Sequence, residues 1–425
     1  RVPMYGSSRQ AACSQDRASY PCLGPGPMPP KSKLVKKTPG KKSAALKAKP
    51  AKAAPKKEWE GPQARIAVAG AGWWSQGWHL PHLLRNPGSK LTAIIEPNSN
   101  PRSTLNSDMK TTGELSVIYD VPIYDTIDAF LQSNASSVTD GIIVASNHSS
   151  HHDIAKKALG KGLHVLCEKP MTCDPKEADD LVTEASRSGK IFMLNNTANF
   201  RENAQRAFEL VKEGKIGTVR HVMCYMGSAL LWLFEEPANA GWVKPSGNMT
   251  GNGFGWGQLS HTLAWVYYVS GLTPQSVFAC MGHSDITGAD LFDSGIIRCT
   301  NGATINVQGV AALPFESYDK TSKQIDNKIF GSEGMLMYSG DDKDENSGAL
   351  ILKRYDGTQE EYKGFLFENY TPIGDGPESL QQFILGCAGK PFCNAADVSV
   401  GAKAAKTIDA MYRSVKIGSM VPVSE

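Results

Sequence analysis

A carboxylate, an ammonium and a proline stand together at the end of Gly162-Leu-His-Val-Leu-Cys-Glu-Lys-Pro170. The apolar residues before them read as a buried strand, so Glu168 and Lys169 emerge where a parallel sheet opens toward ligands. Burial shifts a lysine's pKa readily, which makes Lys169 a candidate for handling a proton. About ninety residues earlier, Gly70-Ala71-Gly72-Trp73-Trp74-Ser75 lies between a strand-like run and a helical one. In that setting the first glycine permits a tight turn and the second lets a pyrophosphate approach the backbone. The following helix end supplies N–H groups and positive dipole. Ser75 stands where the fingerprint has Gly or Ala, and is small enough for close helix–strand packing. Roughly twenty residues on, Glu96 closes the next strand, where its carboxylate would accept from ribose hydroxyls and repel a 2′-phosphate. NAD is therefore favoured. NADP is the alternative, because Arg102 lies just downstream.

The elements that must hold these residues follow from periodicity. Strands are expected at 65–69, 91–95, 141–144, 164–167 and 191–194. Between them come a helix carrying Leu80, Leu83 and Leu84 and helices near 127–132, 150–160 and 175–188. Strands alternating with helices imply right-handed crossovers and an α/β fold, a Rossmann doubly wound parallel sheet, over residues 61–198. Residues 199–425 read as an α+β domain with a large, mostly antiparallel open sheet. Its strands are expected at 218–226, 275–281, 295–299, 303–310, 328–330, 335–338 and 350–354. Its helices are expected at 204–213, 260–269, 377–387 and 398–415.

Composition narrows the function classes. Hydrophobic residues at 41% and charged residues at 20% of 425 residues suit two globular cores. No apolar run reaches the roughly 18 residues that span a bilayer, so no membrane partner is expected. The nine cysteines are scattered without metal-ligand spacing, so no metal is expected and free thiols point to a reducing, cytoplasmic setting. The net charge of +3 conceals an asymmetry: residues 1–57 carry +13 and the remainder −10. Residues 1–60, rich in Lys, Ala and Pro, read as a disordered basic tail. Nucleic acid is expected as a partner only through that tail; organelle targeting and a mere solubilising extension are the other readings.

In the second region Trp232, Phe234, Trp242, Phe254 and Trp256 interleave with Gly247, Gly251, Gly253 and Gly255. Flat rings beside mobile glycines suit stacking on the apolar face of a sugar. Arg201 and Lys244 are candidate contacts for an anionic substrate.

With these motifs in order, the chain resembles the Gfo/Idh/MocA family, which includes glucose–fructose oxidoreductase and inositol dehydrogenase. The resemblance spans roughly 64–423. It rests on Gly70-Ala-Gly72 with His79-Leu-Pro81, Ser146-Asn-His-Ser-Ser-His151, residues 162–170, Glu213-Gly-Lys-Ile-Gly217 and Ile329-Phe-Gly-Ser-Glu-Gly334. It implies that Lys169 contacts the reacting hydroxyl and the nicotinamide ribose, with Glu168 and Pro170 positioning it. It also implies cofactor contacts from Gly70, Gly72, Trp73, Trp74, Ser75 and Glu96, and from Ser146, Asn147, His148 and His151 after the fourth strand. The family's second motif, an Asp and four residues later a His, aligns with Gly255-Trp-Gly-Gln-Leu-Ser-His261. His261 then becomes the general base, and Trp256 and Gln258 neighbouring substrate contacts. The aspartate position holds Gly257, so His261 lacks the relay partner the family provides.

The resemblance also implies a homo-oligomer built through the second domain's sheet. The leading expectation is an NAD(P)-dependent oxidoreductase acting on a sugar, polyol or cyclic alcohol, a small-molecule substrate. The alternatives are an NAD-dependent glycosidase that retains its cofactor and a non-catalytic NAD-binding regulator.

Overall fold

Short Val/Ile/Ala-rich runs, apolar on both faces, fold as the inner strands of a parallel sheet in a computed structural model. It describes residues 59–314, 323–365, 367 and 374–423; the expected basic tail lies outside them, apart from Trp59 and Glu60. The first sheet contains β1 (Ala64–Ala69), β2 (Ser89–Ile95), β3 (Ile123–Tyr124), β4 (Gly141–Val144), β5 (His164–Cys167) and β6 (Phe192–Leu194). Their order is β3-β2-β1-β4-β5-β6 and every pairing is parallel. The order reverses between β1 and β4, and a ligand crevice opens outside the carboxyl ends of strands at such a point. Gly70, Glu96, Ser146, Glu168 and Asn195 each directly follow a strand of this sheet or lie one residue further on.

The helix Pro175–Ser188 has all its local signals: Asp174 accepts from Lys176 N and Glu177 N, Pro175 opens the first turn, and Gly189 closes it in the left-handed region. Leu84, expected to face the core with Leu80 and Leu83, is instead largely exposed.

The second sheet holds β7 (Val219–Ser228), β8 (Pro274–His283), β9 (Asp290–Cys299), β10 (Thr304–Val310), β11 (Lys323–Gly331), β12 (Gly334–Asp341), β13 (Asp344–Arg354), β14 (Gln359–Lys363) and β15 (Val421–Pro422). Its order is β14-β13-β12-β11-β7-β10-β9-β8-β15, antiparallel except for the β7–β10 pair. Strand β9 alternates buried and exposed residues, as a sheet with one covered face requires. The helices Ser260–Ser270 and Val398–Ile417 pack on the covered face. The other face exposes Met223, Phe278, Phe292 and Ile296. The division at residue 199 is not clean. Leu380, Phe383 and Ile384, on the helix Glu378–Cys387, return to the core of the first sheet. No helix among the described residues is long and apolar enough to cross a membrane.

Candidate active site

At the glycine turn, Gly70 has φ +96°, and a Cβ there would lie 2.6 Å from the carbonyl oxygen of Ala145. Only glycine lets the strand end approach the β4 loop this closely. A Cβ on Gly72 would meet nothing within 4 Å. The turn therefore leaves open space above its backbone, as a pyrophosphate requires. Beside it, Glu96 Oε2 accepts from Ala71 N at 2.7 Å and Oε1 from Asn98 N at 2.9 Å. Each oxygen retains a lone pair for a ribose hydroxyl. Arg102 donates to the carbonyl of Met109 at 2.7 Å. Ser75 is fully buried and its hydroxyl has no hydrogen-bond partner, in keeping with close packing rather than ligand contact.

The chain then enters a wide π-helical turn, Ser75–His79. It presents His79 Nε2 to Glu168 Oε1 at 2.8 Å, while the Trp74 indole donates to the same oxygen at 2.9 Å and Asn195 Nδ2 at 2.7 Å. Burial alone would raise the Glu168 pKa. The hydrogen bond and charge of His79, the Asn195 amide and the Lys169 charge outweigh it and hold the carboxyl down to about 2. Through Oε1 Glu168 thus anchors the turn, and its Oε2 accepts from the backbone N–H of Lys169 at 3.2 Å. Pro170 is buried, follows a cis peptide, and its carbonyl faces His151 Nδ1 at 2.9 Å.

His151 departs from expectation. Its ring is fully buried between the Pro170 and Ser146 carbonyls, with Nε2 3.2 Å from the latter, so it ties two loops together and presents no surface to a cofactor. Burial lowers its pKa, partly offset by those two carbonyls. Asn147 and Ser146 remain accessible, bracing their loop through Ser150. His148 is half-buried with its edge on the Trp242 ring, 5.4 Å between centroids. Desolvation, with repulsion from His151 and Lys169, takes it down to about 3. It is neutral at physiological pH.

Lys169 leaves the first sheet and reaches the second domain. Its Nζ donates to the Gly257 carbonyl at 2.8 Å and lies 5.5 Å from the centre of the Trp242 ring. Gly257 belongs to a second π-helical turn, Gly255–Leu259. A π turn offsets the usual carbonyl ladder, which leaves this carbonyl open to a side-chain donor. A Cβ at Gly257 would come 2.9 Å from Phe234, so the place of a family aspartate is filled by that ring. His261, one turn on, is buried at 4% exposure, and its carbonyl accepts from Asn196. Gln258 is also buried, and its Oε1 has no hydrogen-bond partner.

The five rings singled out in the sequence lie in different surroundings. Trp242 and Trp73 line a cavity of about 520 Å³ between the domains, together with Arg102, Thr104 and Asn239. Phe234, Phe254 and Trp256 are core residues, and Trp256 stacks on Tyr412 with no exposed surface, so it cannot be the expected substrate contact. Trp232 is half-buried and donates to Ala229 O. Arg201 is buried and paired with Glu378 at 2.9 Å, which removes it as an anion contact, whereas Lys244 is exposed. Gly251, Gly253 and Gly255 are packed against Tyr412 and Asp290 rather than mobile.

Sequence reasoning missed His79, Asn195, Asn196 and Asn199. The three asparagines lie just past β6, where a polar cluster at a strand's carboxyl end was the available signal. Asn199 donates to Ala264 O and Ala395 O, joining the helix Ser260–Ser270 to the last third of the chain.

A parallel sheet in the dinucleotide-binding order, an open glycine turn and a lysine reaching a second, mostly antiparallel domain define a class of nucleotide-dependent oxidoreductases. Residues 64–196 match the family described as "Oxidoreductase family, NAD-binding Rossmann fold", and residues 204–337 match the GFO/IDH/MocA C-terminal domain. The chain belongs to the Gfo/Idh/MocA oxidoreductase family.

Among curated relatives it is 23% identical to D-xylose 1-dehydrogenase (NADP(+)) 2 of Haloferax volcanii, over 70% of this chain and 84% of that one. It is 24% identical to 2,7-anhydro-N-acetylneuraminate hydratase of Mediterraneibacter gnavus, a match that spans 50% of each protein. Among solved structures, GenD2 from gentamicin A biosynthesis, in complex with NAD, superposes with a TM-score of 0.63 at 18% identity, covering 87% of this chain and 99% of that one. Aldose–aldose oxidoreductase of Caulobacter crescentus gives a TM-score of 0.61 at 18% identity, covering 85% of this chain and 99% of that one.

Proposed function

We propose that this protein transfers a hydride between a ring-bearing alcohol, a sugar or cyclic polyol, and a nicotinamide cofactor, with NAD preferred. The observation that carries this reading is Lys169, held by the Gly257 carbonyl at the mouth of the NAD-binding sheet. An ammonium has three N–H groups, so Lys169 can keep that carbonyl and also donate to a substrate oxygen. His261 takes the hydroxyl proton as the carbon loses its hydride, and Gln258 Oε1 accepts from a neighbouring hydroxyl. When bound, the nicotinamide ring supplies the hydride acceptor. Gly70, Gly72 and Glu96 hold the dinucleotide, with Ser146 and Asn147 at the rim. The Glu96 carboxylate and an Arg102 turned to the Met109 carbonyl both support NAD over NADP.

The open face of the second sheet supports a homo-oligomer. The seven described cysteines, all free, support work in a reducing, cytoplasmic setting.

A second reading is favoured by Gly257. A site with glycine in place of an acid four residues before His261 also suits a redox-neutral reaction, such as a glycosidase in which the cofactor is oxidised and restored in one cycle. Reduced nicotinamide should accumulate when the protein meets NAD and a panel of sugars, inositols and cyclic alcohols, and Lys169→Ala should lower turnover by roughly a thousandfold. Product formed without accumulation would select the second reading. Full turnover by Lys169→Ala would exclude both.

A further inference from the structure

We propose that Asp290, the first residue of β9, is the positioning residue of the reactive turn, setting through Gly255 and Tyr412 where the Gly257 carbonyl meets Lys169. The proposal rests on the reading of Lys169 given above, although its test does not depend on turnover.

The helical run that begins at Gly255 has no cap of its own. Phe254 precedes it and its side chain accepts nothing, so the first N–H groups need acceptors from elsewhere. Asp290 provides them from a strand 35 residues further along the chain: Oδ2 accepts from Gly255 N at 2.6 Å and Oδ1 from the Tyr412 hydroxyl at 2.6 Å. The Tyr412 oxygen in turn meets the backbone N–H of Trp256. A buried carboxylate and a phenol thus cap two successive amides, and the carboxylate's charge suits the positive end of the helix.

The glycines of this stretch are the counterpart of that cap. A Cβ at Gly253 would lie 2.5 Å from Asp290 N and from its Oδ1; one at Gly255 would lie 2.8 Å from the Tyr412 oxygen; one at Gly251 would lie 2.4 Å from the Tyr412 ring. Gly253 also forms a parallel bridge with Asp290. Two residues beyond the captured amide, the Gly257 carbonyl points to Lys169 while Phe234 closes the opposite side. Any slackening at Asp290 therefore reaches Lys169 through two peptide units. Asp293, three residues on, is buried beside this cap. Burial, and then the neighbouring Asp290, push its carboxyl well above the usual carboxylate range.

The test uses the full chain, with Asp290→Asn as the main variant and Tyr412→Phe, which deletes only one donor, as the milder one. Three quantities are read: NADH affinity, hydrogen exchange of peptides covering 253–262, and the pH midpoint for reductive methylation of Lys169. For Asp290→Asn, NADH affinity should stay within about twofold while exchange of the 253–262 amides rises by roughly tenfold. The Lys169 midpoint should move with it; Tyr412→Phe should change both in the same direction by less. A Lys169 midpoint and an exchange rate at wild-type values in Asp290→Asn overturn the proposal. It is equally overturned if Asp290→Asn unfolds and Tyr412→Phe loses protection uniformly, because Asp290 is then a core residue without a selective effect. Failure of Lys169→Ala to reduce turnover would sink the functional reading alone, since methylation and exchange still report on Asp290.

Discussion

In the turn that begins at Gly70, glycine is demanded by the backbone; in the turn at residues 251–259 it is demanded by neighbours distant in sequence. Both stretches are glycine-rich and both continue into a π-helical turn, Ser75–His79 in one and Gly255–Leu259 in the other. Yet Gly70 has φ +96°, while none of Gly251, Gly253, Gly255 and Gly257 has a positive φ. The second set is crowded instead by Tyr412, Asp290 and Phe234. A local cause can be read from a local motif. A crowding cause depends on partners that arrive only when the domain has folded.

The largest expected effect separates two glycines within the first turn. Gly70→Ala forces an L residue to positive φ and drives its Cβ against the Ala145 peptide, which cannot yield. A loss on the order of 3 kcal/mol is expected, read as a fall in the urea midpoint. Gly72→Ala points its methyl into open space, so the midpoint should not change while NADH affinity falls by roughly tenfold through lost room for the pyrophosphate. Equal destabilisation by both changes would mean that Gly72 also serves the fold, and the contrast would be lost.

A middle-sized effect tests the second turn. Gly257→Ala places a methyl 2.9 Å from Phe234 and should cost about 1–3 kcal/mol by overpacking. Phe234→Leu alone should cost about 1 kcal/mol, but it should recover part of the loss when combined with Gly257→Ala. Strict additivity in that cycle would show that Phe234 is not what forbids a side chain at 257.

The contrast also explains what was legible. The strands at 141–144 and 164–167 and the helix at 175–188 were expected with the bounds observed, because each carries its own apolar run and stop signals. Lys169 at the sheet mouth, Glu96 beside the glycine turn and the turn itself follow from that local pattern. The helix Thr112–Tyr119 was not expected despite its Thr111–Glu114 capping box, because Val117 and Ile118 face solvent and blur the apolar stripe. Within the site, the errors fall on residues whose surroundings are assembled from afar. Trp256 resembles a substrate platform until Tyr412, more than 150 residues later, is found stacked on it. His151 resembles a cofactor ligand until the Pro170 carbonyl reaches its ring.

The smallest effects carry opposite signs at the two turns. Glu168, braced against the first, has a pKa lowered to about 2, so its stabilisation is present above the unfolded value near 4.3 and is lost as pH falls toward 2. Asp293, beside the second, has a raised pKa. Its contribution is full below the unfolded value near 3.9 and is lost as pH rises toward the folded value. Neutral substitutes remove each dependence. Glu168→Gln should therefore be less stable than the wild type at neutral pH, with the gap narrowing as the solution is acidified. Asp293→Asn, whose amide can still donate to Asp290, should match the wild type at acid pH and exceed it increasingly above pH ~4. Urea midpoints measured across that range would decide the matter: parallel curves for both variants would mean that neither carboxyl holds the protonation state assigned to it. A gain confined to Asp293→Asn would place the raised carboxyl at the second turn alone, beside the Asp290 side chain that accepts from the Gly255 amide.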